Sequence, residues 1–141
     1  MSAEPDGARG TNWWSVGLWA AQIALALAFG ASGVTKLFQP VETLAAAMEW
    51  VAHSPPALVR FIGFAELAGA VGMILPAATL ILPWLTPLAA LGFAVIEILA
   101  IGVHAALGET AETLAFNLVL LGLSAFVIWG RTQKVVTSSR S

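Results

Sequence analysis

Four stretches of this chain stay apolar long enough to cross a bilayer, and turn residues separate them. A helix needs about 20 apolar residues to span hydrocarbon ~30 Å thick. The first span opens after Thr11-Asn12, residues suited to an N-cap, and runs from Trp13 to about Phe38, just before Pro40. At ~39 Å it exceeds the hydrocarbon thickness, so tilt or protrusion is expected. Ser54-Pro55-Pro56 reads as an N-cap with proline in the first turn, opening a second helix to about Leu75. Pro76 and Pro83 bracket a short apolar turn. Thr86-Pro87 repeats the cap-plus-proline signal, and the third helix continues to about Leu107, where Gly108 closes it. Glu109 and Glu112 suit the positive end of a fourth helix, from about Ala111 to Trp129.

Between the first two spans lies Pro40–His53. Val41, Leu44, Ala45, Met48 and Val51 recur at helical spacing, while Glu42, Glu49 and His53 fall elsewhere. This predicts one short amphipathic helix on the membrane surface or capping the bundle, a linker rather than a lid. The expected class is therefore all-α: an integral membrane bundle of four transmembrane helices with that short helix between helices 1 and 2. Residues 13–131 form the domain, with polar tails at 1–12 and 132–141.

Each span carries a one-sided row of small and polar residues, read from the seven-residue offset that returns to nearly the same face. The first has Ser15, Gln22, Phe29 and Lys36, with Gly33 beside them. In the second, Glu66 shares a face with Ile62, Gly63, Gly69, Ala70 and Met73, opposite Phe61, Phe64, Val71 and Leu75. In the third, Ala90, Ala94, Glu97, Ala100 and His104 oppose Leu91, Val95, Leu99 and Val103. The fourth aligns Thr110, Thr113, Asn117 and Ser124. Small residues let helices approach and polar ones hydrogen-bond across the contact, so the rows converge on one interior.

Composition narrows the function classes. Of 141 residues, 10% are charged, against about 25% in a soluble domain, and 59% are hydrophobic. Six basic residues make no nucleic-acid footprint. Without cysteine the chain has no disulfide, thiolate metal site, iron–sulfur cluster or dithiol chemistry of its own. His53 and His104 are its only histidines and lie on different elements, which argues against bis-histidine haem ligation. No metal site, phosphate loop or nucleotide fingerprint is evident. The first span does not read as a cleaved signal: its flank (Glu4, Asp6, Arg9) is not positive and its apolar stretch is long. Arg9, Arg131, Lys134 and Arg140 on the termini side against Lys36 and Arg60 on the other favour cytoplasmic termini. Trp13, Trp14, Trp84 and Trp129 fall near the same face, as an aromatic belt would.

Against this background two carboxylates stand out. Glu66 is the only charged residue from Phe61 to Ile96, and Glu97 interrupts the run from Trp84 to Val103. An ionisable group at such depth costs ~3 kcal/mol or more and usually faces a bundle interior or a cavity. Counted from the end opposite the termini, Glu66 and Glu97 lie ~13–15 Å down and Asn117 ~9 Å, with Lys36, Arg60 and His104 within about one turn of that face. Two arrangements stay open: Glu66 and Glu97 sharing a proton, or Glu66 paired with Lys36 or Arg60. Gln22, Thr113, Asn117 and Ser124 are candidates for inter-helix hydrogen bonds as well as for ligand contact.

The segment Ser32-Gly33-Val34-Thr35-Lys36-Leu37 and the second-helix run Arg60-Phe61-Ile62-Gly63-Phe64-Ala65-Glu66-Leu67-Ala68-Gly69 resemble the DoxX-like membrane proteins, which share an SGxxKL and an RxxGxxExxG motif. Pro76, His104, Asn117 and Trp129-Gly130-Arg131 complete the pattern over roughly residues 13–131. The resemblance implies a four-helix membrane fold, with Lys36, Arg60, Glu66, His104 and Asn117 at the matching positions. It implies an apolar residue at the Glu97 position in most relatives, marking Glu97 as peculiar to this chain. Some relatives are membrane subunits of thiosulfate:quinone oxidoreductase, and others associate with superoxide dismutase and a sulfurtransferase.

The leading expectation is an accessory membrane subunit of a redox system, with a quinone-sized pocket and no cofactor ligands of its own. Glu66, with His104, would handle protons, and Lys36 or Arg60 would stabilise a developing negative oxygen. Glu97, Asn117 and Gln22 would contribute to binding. Expected partners are the lipid bilayer, soluble or peripheral redox proteins and, in one version, further copies of the chain, in a bacterial cytoplasmic membrane. A proton-coupled carrier using Glu66 and Glu97, and a non-catalytic anchor, are the alternatives.

Overall fold

The computed structural model describes residues 12–109 and 111–138. It contains six helices among the described residues: α1 Trp13–Phe38, α2 Val41–Ala47, α3 Glu49–Ala52, α4 Pro56–Thr79, α5 Leu85–Ala106 and α6 Ala111–Ser138. Four of these, α1, α4, α5 and α6, are long and apolar enough to span a membrane. They close a ring in chain order, α1 on α4, α4 on α5, α5 on α6 and α6 back on α1. The chain is an integral membrane protein. Thr11, Thr110, Arg9 and Arg140 lie outside the described residues.

The inward rows converge as their spacing predicts. Gln22, Glu66, Glu97, Asn117 and Ser124 are all buried, whereas Phe61, Phe64, Leu91 and Val95 are exposed on the outside. In lipid that outward face needs no cover, so the packing interior is thin. Its centre is an apolar layer of Leu25, Phe29, Met73, Ala90, Phe93, Leu120 and Val127. Phe29 and Phe93 stack within it, ring centroids 3.8 Å apart and planes 8° from parallel.

The tightest contact is between α1 and α4. A Cβ on Gly33 would lie 2.7 Å from the Gly63 carbonyl oxygen and 2.8 Å from Leu67 N. Only glycine allows that backbone approach, which brings Lys36 and Glu66 within reach of each other.

The element boundaries differ from expectation in four places, each with a local cause. Asn12 caps α1 as expected, its side chain accepting from Ser15 N, but Ser54 does not cap α4; its hydroxyl donates to Trp50 O and Pro55 takes the cap position. Pro76 does not end α4, which continues to Thr79. A proline supplies no N–H to the carbonyl four residues back. That carbonyl, Gly72 O, instead accepts from the Thr86 hydroxyl at 3.1 Å, and Met73 O accepts from Gln22 Nε2 at 2.6 Å. Neighbouring helices therefore supply the hydrogen bonds that keep a proline tolerable in a membrane helix. For the same reason Thr86 is no cap: α5 begins at Leu85, with Trp84 before it. Leu80 and Leu82, with φ of 60° and 49°, make the left-handed turn after α4. At the far end α6 runs on to Ser138, into the segment expected as a tail.

The connecting amphipathic helix is two helices. Met48, with φ −132° and ψ 109°, breaks the α-helical path between α2 and α3. Leu44 and Val51 still face the same way and pack on Val59 of α4, which fixes the pair over the end of the bundle.

Candidate functional site

At the end of the bundle opposite the termini, α1, α4, α5 and α6 diverge around a cavity of about 350 Å³. That size lies within the range of small-molecule sites. Phe29, Ile62, Ile96, Leu99, Val103, Phe116 and Leu120 make most of its wall. Met48 and Trp50, from either side of the α2–α3 break, also line it. The segment expected to be only a linker therefore contributes to the pocket.

The polar groups in this wall are Ser32, Lys36, Glu66, Glu97, His104 and Asn117, one or more from every spanning helix. Lys36 Nζ donates to both Glu66 carboxylate oxygens, at 2.9 and 3.0 Å, and to Ser32 Oγ at 2.5 Å. It also lies 5.7 Å from the centre of the Trp50 ring. Of the two arrangements left open by sequence, the ion pair is present and its cation is Lys36. Both partners are buried, so each neutralises a charge that would otherwise be costly to keep out of water.

Glu97 and Asn117 face the same space without such satisfaction. Glu97 is 4% exposed and Asn117 7%, and neither Glu97 Oε2 nor Asn117 Nδ2 has a hydrogen-bond partner. Leaving a buried polar atom unmatched costs about 1–3 kcal/mol, so two in one cavity call for an explanation. His104 sits higher on α5, and its Nδ1 is also without a hydrogen bond, although Glu109 Oε2 lies against it as an ion-pair contact.

Two expected site residues are elsewhere. Arg60 does not approach the carboxylates; its Nη1 donates to Lys36 O at 2.6 Å and Gln39 O at 2.8 Å, closing the carbonyl end of α1. Arginine prefers these helix-terminal acceptors because they carry the negative end of the helix dipole and remain partly wet. Gln22 lies toward the termini end, between Met73 O and Arg131, whose Nε donates to Gln22 Oε1 at 2.5 Å. Arg131 also stacks over Trp19, 5.2 Å from its ring centre. Among the lining residues, the sequence reading singled out none of Ser32, Trp50, Ile96, Phe116 and Leu120, and it set Leu99 and Val103 on the lipid-facing side although both line the cavity. Met48 was visible in the apolar row of the connecting segment and Trp50 was not, and the break at Met48 between α2 and α3 has no composition signal.

The family model described as DoxX-like matches residues 20–127, a stretch that takes in α4 and α5 whole, most of the first and last spans and every residue lining the cavity. No curated protein and no solved structure matches the chain.

Proposed function

The chain belongs to the DoxX-like family, and from that premise we propose that it is an accessory membrane subunit of a quinone-linked redox system. One observation carries this reading: Glu97 Oε2 and Asn117 Nδ2, both unpartnered, share an otherwise largely apolar cavity. A few polar groups in an apolar pocket are what orient a small ligand. A quinone has flat apolar faces and carbonyl oxygens at its edges. Phe29, Phe116 and the aliphatic wall suit the faces, and Asn117 Nδ2 suits a carbonyl acceptor.

A bound quinone would supply the electron-accepting group that this chain lacks. The chain's own residues handle position and protons. Glu97 holds or releases a proton at Oε2, within the same cavity, while Asn117 orients the ring. Glu66 is held by Lys36, so its part is to fix the ammonium in the wall, where a positive charge favours negative charge on a nearby oxygen. Electrons come from a soluble or peripheral redox protein. We place the chain in a bacterial cytoplasmic membrane with both termini cytoplasmic, on the bias of basic residues toward the termini.

The test is a titration of the full-length chain in lipid nanodiscs with a short-chain quinone, read by quenching of tryptophan fluorescence. Saturable quenching is expected, with the saturable part reduced in Trp50→Phe. Glu97→Leu and Asn117→Leu weaken binding tenfold or more, equivalent to about 1.4 kcal/mol. Phe61→Leu on the lipid face leaves it unchanged. Absence of saturable quenching, or wild-type affinity in both cavity variants, refutes the quinone reading.

A further inference from the structure

We propose that Glu97 exchanges protons with one aqueous face only, the face opposite the chain termini, by way of His104 and Glu109. This rests on the reading of Glu97 as the proton-exchanging group, and it adds a route and a side.

The route follows from where His104 lies. It lines the cavity and also a second, more open groove of about 620 Å³ at the end of the bundle. That groove is bounded by the α2–α3 segment, Glu49 included, and by Gly108 and Glu109. His104 is therefore part of the wall between the cavity around Glu97 and the outward-facing groove. Its Nδ1 lies against Glu109 Oε2 without hydrogen-bond geometry, and Nε2 is the second exchangeable nitrogen. Gly108, at φ 71°, turns the chain so that Glu109 N returns to His104 O at 3.0 Å and the carboxylate comes back onto the ring.

Below the histidine, Glu97 is seven residues earlier on α5, ~10.5 Å along the axis and on nearly the same face. Both residues line the cavity, whose volume of about 350 Å³ is roomy enough for a few waters held by its polar wall groups, Ser32 and Asn117 among them, to bridge that distance. A proton from groove water adds to the neutral imidazole, and the imidazolium releases a proton to cavity water. The Glu97 carboxylate then binds that proton. The ring ends neutral and the carboxyl group ends protonated; only N–H and O–H bonds change. The other ionisable groups facing this path are Lys36 and Glu66, paired with each other, and Glu49 at the groove.

The side follows from what lies beneath the cavity. Phe29 and Phe93 stack across the bundle, surrounded by Leu25, Met73, Ala90 and Val127. This layer contains no ionisable side chain, and past it the next polar cluster is Gln22 with Arg131. A proton entering from the termini end meets an apolar barrier; one entering past His104 does not.

Labelling by dicyclohexylcarbodiimide tests this without any quinone, because that reagent modifies buried carboxyl groups in their protonated form. The full-length chain is reconstituted in liposomes of determined orientation, with the inner and outer pH buffered independently. Modification of Glu97 is then measured by peptide mass spectrometry. Acidifying the face opposite the termini is expected to raise the labelling rate at least fivefold, and acidifying the termini face to leave it unchanged. His104→Leu reduces the response at least tenfold, and Glu109→Gln reduces it less. Labelling that follows the termini side, or that responds equally in His104→Leu, overturns the proposal. Because wild-type sidedness is read first, the proposal stays testable even if a variant misfolds. Failure of quinone binding would leave this outcome intact, so the two readings fail separately.

Discussion

Lys36 Nζ sits 2.9 and 3.0 Å from the two carboxylate oxygens of Glu66, thirty positions away on the neighbouring helix. Both side chains are buried, so the pair is best judged by what happens when one member goes. Lys36→Met leaves an uncompensated carboxylate and is expected to destabilise the bundle by about 3–5 kcal/mol. The double variant Lys36→Met/Glu66→Leu should recover most of that loss. Unfolding in mixed detergent micelles measures both; a double variant as unstable as the sum of the singles would contradict the pairing.

The α1–α4 contact predicts a second outcome. Gly33→Ala places a methyl group 2.7 Å from a backbone oxygen and 2.8 Å from a backbone nitrogen, neither of which can rotate away. The helices must separate, at about 1–3 kcal/mol. The same separation stretches the Lys36–Glu66 bridge, so the unfolding midpoint should fall further in Gly33→Ala than in Gly122→Ala, where an added Cβ meets nothing within 4 Å.

Thr86 and Pro76 form a third, conditional relationship. Thr86→Val removes the hydroxyl that Gly72 O accepts, a loss of about 0.6–1.7 kcal/mol by analogy with inter-helix bonds in membranes. In a Pro76→Ala background the helix regains its own N–H donor, and the same change should cost much less. A double-mutant cycle in detergent unfolding reads the coupling directly. Independent effects would mean that the hydroxyl does not substitute for the missing donor.

Arg60 offers a fourth. Its guanidinium closes the end of α1 rather than the cavity, so Arg60→Ala should fray residues 36–41 and leave quinone affinity nearly unchanged. Faster amide exchange in that segment, with stability reduced by about 1.5–3 kcal/mol, is the expected pattern. A large loss of affinity with normal exchange would return Arg60 to the site.

Much of this architecture was legible in the order of residues because lipid simplifies the problem. Span lengths, the inward rows and the exposed Phe61–Phe64 face follow from periodicity alone. Glu66 and Glu97 were identifiable because charge is so rare here. Their partners were not. Lys36 and Arg60 are equivalent as cations near the same end, and only the Gly33–Gly63 approach decides that Lys36 reaches Glu66 while Arg60 turns back to α1. Gln22 shares a row with Lys36 but lies two helical sevens away, on the other side of the Phe29–Phe93 stack. Pro76 misled for a related reason. Proline signals a helix end only where nothing else can serve the abandoned carbonyl, and Thr86 on the next helix does so.

That substitution of partners bears on how the chain enters its membrane. Gly72 O faces hydrocarbon unsatisfied for as long as α4 is alone there, and its donor resides only 14 positions later. The intervening turn is five residues long, from Leu80 to Trp84. Insertion of α4 is thereby made contingent on α5, and the two helices are expected to leave the translocation machinery as one hairpin rather than in succession.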